Sequence, residues 1–190
     1  MIFDKEEYWD ETYENIKISY LENIDFDNCI FKNCTFHKAI LKYCKFVECH
    51  FENCDLSLLT LQYCSFNDVN FNKSKCVGIN WSLCESSFVI NFNECNLNMS
   101  SFHNLDLRHN KIISCNASEV DFEKTNLQSV DFKDTDLLNA TFSNTNLKDT
   151  NLAQAKNYNI NPNSNYIKQT KVSLPEAISF LNFLDLKLEK

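Results

Sequence analysis

Large apolar residues recur at every fifth position along most of this 190-residue chain, and no other feature restricts its fold as much. The series runs Ile16, Leu21, Phe26, Phe31, Phe36, Leu41, Phe46, Phe51, Leu56, Leu61, Phe66, Phe71, Cys76, Trp81. It resumes at Phe92 and continues Leu97, Phe102, Leu107, Ile112, Ala117, Phe122, Leu127, Phe132, Leu137, Phe142, Leu147, Leu152. A period of five fits neither a helix at 3.6 residues per turn nor a strand at two. It does fit a chain that turns a corner every five residues. Four corners close a square coil of about 20 residues, and stacked coils share backbone hydrogen bonds at about 4.8 Å spacing. The step from Trp81 to Phe92 is two repeats plus one inserted residue, near Ser82–Asn91.

A smaller residue stands two positions before most ladder residues, for example Cys29, Cys34, Ala39, Cys44, Val69, Ser100, Thr125 and Val130. Eight of the ten cysteines occupy such places. Free cysteine behaves as a small buried hydrophobe, so these read as core filler. No C-x2-C pair suggests zinc, and the acidic start MIFDKEEYWDE is not a signal peptide. Metal or redox chemistry on the cysteines is the competing reading. The single glycine argues against Gly-rich phosphate loops. No apolar run approaches the ~20 residues of a membrane helix. The expectation is a cytoplasmic protein with no membrane association.

The repeat resembles the pentapeptide-repeat proteins, whose motif is roughly A-[DN]-[LF]-x-x. TNLQS, VDFKD, TDLLN, ATFSN, TNLKD and TNLAQ, spanning residues 125–154, carry the likeness. The resemblance implies an all-β fold, a right-handed quadrilateral β-helix. About seven coils would make a rod of roughly 33 Å. The expected organisation is an N-terminal cap (1–15), the β-helix (16–155), and a C-terminal loop and short α-helix (156–190). The cap is expected as a short amphipathic helix or irregular segment covering the first coil through Phe3, Tyr8, Trp9 and Tyr13. Residues 156–171 read as a loop across the last coil. Ser173-Leu174-Pro175-Glu176 reads as a capping box. Leu174, Ile178, Phe180, Leu181, Phe183 and Leu184 make the helix behind it apolar on two sides, which points to a dimer interface. Leu186 and Leu188 suggest a short strand.

Catalytic chemistry has little support. His37, His50, His103 and His109 show no metal-pair spacing. Asp121, Asp131 and Asp136 precede ladder residues, where their role is to bond local backbone at corners. A filled core offers no cleft, so no enzyme activity, no cofactor and no metal are expected. Net charge is −8, concentrated in residues 1–30, which hold nine acids against two lysines. With 20 residues per coil, Asp25, Asp27, Glu48, Asp68, Asp106 and Asp149 share one face with Lys45, Arg108 and Lys148. This acidic face is the candidate partner-binding surface. Tyr43 and Tyr63 fall one coil apart, which predicts that they stack.

The C-terminal residues Asn157-Tyr158, Ser173–Ile178 and Phe180-Leu181 resemble the Qnr and MfpA group. That resemblance implies a homodimer joined at its C-terminal ends. It also implies binding to DNA gyrase and topoisomerase IV by partial DNA mimicry, with quinolone resistance as a consequence and no direct binding of nucleic acid. The projecting loops of some Qnr proteins have no counterpart here beyond the inserted residue. The alternative is a scaffold or regulatory module with a non-topoisomerase partner.

Overall fold

A computed structural model describes residues 3–84 and 88–184 and shows a right-handed quadrilateral β-helix. Its strands are β1 (Glu7–Trp9), β2 (Thr12–Glu14), β3 (Tyr20–Glu22), β4 (Asp25–Asp27), β5 (Ile30–Lys32), β6 (Ile40–Lys42), β7 (Lys45–Val47), β8 (His50–Glu52), β9 (Thr60–Gln62), β10 (Ser65–Asn72), β11 (Phe88–Asn93) and β12 (Ile112–Ile113). All pair in parallel with the strand one coil away. β1, β4, β7 and β10 stack along one wall, β2, β5, β8 and β10 along the next, and β3, β6 and β9 along a third. The register Asp25↔Lys45, Phe26↔Phe46, Asp27↔Val47 makes the 20-residue coil explicit. Continuous strand ladders extend over about 5 turns, fewer than the seven expected. Beyond β12 the coils meet through single bridges such as Asn126↔Asn146 and Asp131↔Asn151.

The ladder residues point inward, as the period requires, and stack in columns. Phe31, Phe51 and Phe71 lie face to face at 4.8 Å between ring centroids. Phe26, Phe46 and Phe66 repeat the arrangement on the adjoining wall at 5.2 and 5.1 Å. Burying each such ring stabilises the fold by roughly 1.5–3 kcal/mol. The second residue after most ladder positions takes a left-handed backbone, for example Asn23 (φ 53), Asn28 (φ 48), Asn33 (φ 52) and Asp134 (φ 56). Asn and Asp adopt that region at lower cost than other side chains, which explains their frequency at corners. Asp121, Asp131 and Asp136 do bond local backbone there: their Oδ1 atoms accept the N–H of Glu123, Lys133 and Leu138 at 2.8, 3.0 and 3.0 Å.

The N-terminus departs from the expected helical or irregular cap. β1 and β2 lie within residues 1–15 and pair with β4 and β5, so the first coil begins there. Tyr8 stacks on Phe26 and Tyr13 on Phe31 as ladder residues. The register Tyr8↔Phe26 spans 18 residues rather than 20, because the coil is two residues shorter between Ile18 and Leu21. Ile18 is buried on the ladder, while Ile16 is only half-buried. The shortened coil leaves an open notch of about 590 Å³ between residues 3–6 and 17–24, a hollow that the filled-core expectation did not include.

The C-terminal end also differs. The coil continues through Lys156↔Asp136, Tyr166↔Asn146 and Lys171↔Asn151, so much of 156–171 is coil rather than a loop across it. The helix is a 3₁₀ helix, Glu176–Phe183, not an α-helix. The capping box does not form: Pro175 is the N-cap without a side-chain bond, and the Ser173 hydroxyl donates instead to the Ala153 carbonyl one coil back. Leu186 and Leu188 lie outside the described residues. Among the described residues, no helix is long and apolar enough to cross a membrane.

Candidate partner-binding face

The six predicted acidic residues do fall on one wall. Asp25 and Asp27 flank inward Phe26 on β4, and Asp106 takes the matching position further along. Glu48 (φ 51), Asp68 (φ 53) and Asp149 (φ 57) occupy its left-handed corners. The structure adds two residues that the sequence reading had left in the cap. Glu7 pairs with Asp25 in the β1–β4 register, and Asp10 (φ 56) takes the first corner. The signal that could have found them is the pair Tyr8 and Tyr13, five residues apart and therefore on the ladder period.

The wall divides into two electrostatic halves. In the C-terminal half each predicted acid has a cation beside it. Asp106 takes Arg108 through both carboxylate oxygens, with Nη2 at 2.8 Å and Nε at 2.9 Å. Asp149 lies 3.9 Å from Lys148. Partial burial opposes ionisation of Asp106, but the Arg108 hydrogen bonds and charge outweigh it and hold the carboxyl below its usual range. In the N-terminal half Lys45 pairs with Asp25 at 2.9 Å. Among the described residues, no ion pair reaches Glu7, Asp10, Asp27, Glu48 or Asp68. Six carboxylates and one lysine thus share about four coils, or about 19 Å, a length over which duplex DNA carries about 11 charges. The half-wall reaches roughly half the charge density of a duplex.

The other predicted surfaces are less uniform. Tyr43 and Tyr63 stack at 5.2 Å with 8° between ring planes and stand exposed at adjacent corners. At the C-terminal end Leu174, Ile178 and Leu184 are exposed, and Leu181 and Phe183 are half-covered. Phe180 instead turns toward its own coil, 5.9 Å from Tyr158. Nine of the ten cysteines are buried. Burial pushes the Cys49 thiol up to about 12, which keeps it protonated and chemically quiet.

Comparison with known proteins agrees with this geometry. The family of pentapeptide repeats in eight copies matches residues 19–57, and the family described as a pentapeptide repeat region matches residues 86–161. No curated protein sequence matches the chain. Two trypsin-treated variants of QnrB1, a plasmid-mediated fluoroquinolone resistance protein, are similar in structure. They have TM-scores of 0.59 and 0.60, identities of 12% and 13%, and cover 96% of this chain and 97% of theirs. HetL, a pentapeptide repeat protein involved in heterocyst differentiation regulation from Nostoc sp. strain PCC 7120, has a TM-score of 0.51 at 13% identity. That match covers 87% of this chain and 86% of HetL. At these identities the likeness is one of fold. The repeat period, the square coil and the two family matches together make this chain a member of the pentapeptide-repeat proteins.

Proposed function

We propose that this chain is a non-catalytic, cytoplasmic binding protein whose partner is DNA gyrase or topoisomerase IV. It engages the enzyme through the N-terminal half of its acidic wall, where carboxylates stand in for part of a phosphate backbone. A topoisomerase site built to hold DNA is lined with cations, and a rigid wall of unpaired acids would be attracted to it. The observation that carries this reading is the set Glu7, Asp10, Asp27, Glu48 and Asp68 on one wall, none of which forms an ion pair among the described residues. The likeness of fold to QnrB1 supports it, since that protein is described as conferring fluoroquinolone resistance. The exposed Leu174, Ile178 and Leu184 support a homodimer joined at the C-terminal ends, which would double the acidic wall presented to a two-fold symmetric enzyme.

Supercoiling assays with purified gyrase, with and without ciprofloxacin, test the proposal. The protein is expected either to compete with DNA or to relieve the drug. No binding and no change in either activity would remove the reading.

A second reading is a scaffold or regulator with a non-topoisomerase partner. It is favoured by the exposed Tyr43–Tyr63 stack, which lies off the acidic wall and offers amphipathic contact area. A pull-down from host lysate separates the two: enrichment of gyrase subunits counts against the scaffold.

A further inference from the structure

His103 stands 18 and 20 residues before Asp121 and Glu123 in sequence, but the coil brings the three together on the wall above Phe102 and Phe122. Their ligand atoms, one imidazole nitrogen and two carboxylate oxygens, all lie within 4.8 Å of one another. His103 Nδ1 is 3.6 Å from Asp121 Oδ2. Two donors bound to one zinc ion at 2.0–2.2 Å in a tetrahedral arrangement stand about 3.4 Å apart, so this pair is already spaced for a shared ion. The backbone fixes the group from below. Asp121 Oδ1 accepts the Glu123 N–H at 2.8 Å and the Thr141 hydroxyl at 3.3 Å, which orients the carboxylate and leaves Oδ2 facing His103. Ser101 donates to that Oδ2 at 3.0 Å and adds a further oxygen at the site. Ser101, on the same coil as His103, pairs with Asp121, and Asp121 pairs with Thr141 on the following coil. Among the described residues, no lysine or arginine forms an ion pair with either carboxylate.

We propose that His103, Asp121 and Glu123 form a surface site for a borderline divalent cation of the zinc class, clamping two successive coils together. The ligand set, one imidazole with two carboxylates, suits such an ion better than calcium, which takes six to eight oxygens. His103 comes from one coil and the two carboxylates from the next, so the ion adds a cross-link that the backbone ladder lacks. The remaining coordination positions face solvent. The site lies on a different wall from the unpaired acids, so its existence does not depend on the topoisomerase reading.

The test is calorimetric titration of zinc chloride into the metal-stripped full-length protein, repeated on His103→Ala, Glu123→Gln and Cys84→Ser. All three side chains are partly exposed, and far-UV circular dichroism checks that each variant retains the coil. One zinc per chain is expected, with affinity falling at least about tenfold in His103→Ala and in Glu123→Gln and unchanged in Cys84→Ser. Zinc should also raise the melting temperature of the parent protein and of Cys84→Ser alone. The proposal is overturned if no saturable binding occurs, which would leave His103 and Asp121 as an ion pair only. It is equally overturned if His103→Ala and Glu123→Gln bind like the parent, or if Cys84→Ser alone abolishes binding, which would place the ion on a thiol.

Discussion

The two halves of this coil share one period and close their corners in different ways. In the C-terminal half most corners are tight turns in which the ladder carbonyl accepts the N–H three residues on. Val130 to Leu127, Thr135 to Phe132, Ala140 to Leu137 and Thr150 to Leu147 are examples, at 3.0 to 3.1 Å. In the N-terminal half many corners are open and flank three-residue strands. An open corner leaves the N–H of its small inward residue facing the core, where an unmet donor is costly. The next coil supplies the acceptor. Cys54 N–H meets Ser74 Oγ at 3.0 Å, Ser74 N–H meets Cys95 Sγ at 3.4 Å, Cys95 N–H meets Cys115 Sγ at 3.4 Å, and Cys115 N–H meets Thr135 Oγ1 at 3.2 Å. That column ends where Thr135 closes its own corner. None of the eight cysteines at small positions donates a turn bond of the closed kind. The N-terminal half contains its own control: the corners after Phe36 and Leu56 are closed, and they hold Ala39 and Leu59 instead of cysteine. Cysteine is therefore more than filler here. It is small, apolar and able to accept or donate one weak bond.

The largest effect that bears on this comparison is common to both halves. Phe51→Ala removes a ring stacked on both Phe31 and Phe71 and should cost about 3–5 kcal/mol in urea unfolding. Leu137→Ala, in the C-terminal half and outside its Phe102–Phe122–Phe142 stack, should fall at the lower end of about 2–5 kcal/mol. Equal costs would show that aromatic stacking adds nothing beyond volume.

Next comes the corner chemistry itself. Ser74→Ala leaves the Cys54 N–H buried without an acceptor and should cost about 1–3 kcal/mol. Thr150→Val, at a closed corner, removes a hydroxyl bond to the Leu127 carbonyl, which keeps the Val130 N–H. It should cost no more than about 1 kcal/mol. Thermal unfolding of the two variants side by side breaks the comparison if the order reverses.

The smallest effect concerns the compensated half of the acidic wall. The Asp106 carboxyl is held below its ordinary range by Arg108, so its contribution is present above the unfolded value near 3.8 and is lost as pH falls through the lower folded value. Arg108→Ala should remove that contribution, a small one because solvent screens the exposed pair, and flatten acid unfolding. A variant with an unchanged acid profile would show that the pair does nothing for stability.

The walls and most of the ladder were legible in the sequence because a five-residue period has few geometrical solutions. Phe26 through Trp81, and Phe92 through Leu152, lie where the period puts them. What failed did so where the period slips. The two-residue shortening before Leu21 hid Tyr8 and Tyr13, and with them Glu7 and Asp10 of the acidic wall. In the last coil the bridges keep the 20-residue register, but Tyr158 and Ile160 fill the core from places off the ladder positions. The choice of cysteine over alanine depends on whether a corner is open, and the period alone does not record that. Whether an acid is paired was equally hidden: Asp25 and Lys45 meet only because β4 and β7 stack in register. His103 and Glu123, by contrast, were within reach, since one coil length separates them.

The difference between the halves can be tested on function with a single measurement, the affinity of purified gyrase for two charge-neutralised variants. One carries Asp27→Asn, Glu48→Gln and Asp68→Asn, and the other carries Asp106→Asn and Asp149→Asn. If the unpaired acids of the N-terminal half form the binding surface, the first variant loses at least about tenfold, or about 1.4 kcal/mol, and the second changes by less than about twofold. Equal losses, a loss confined to the second variant, or no binding by the unaltered protein would contradict that assignment.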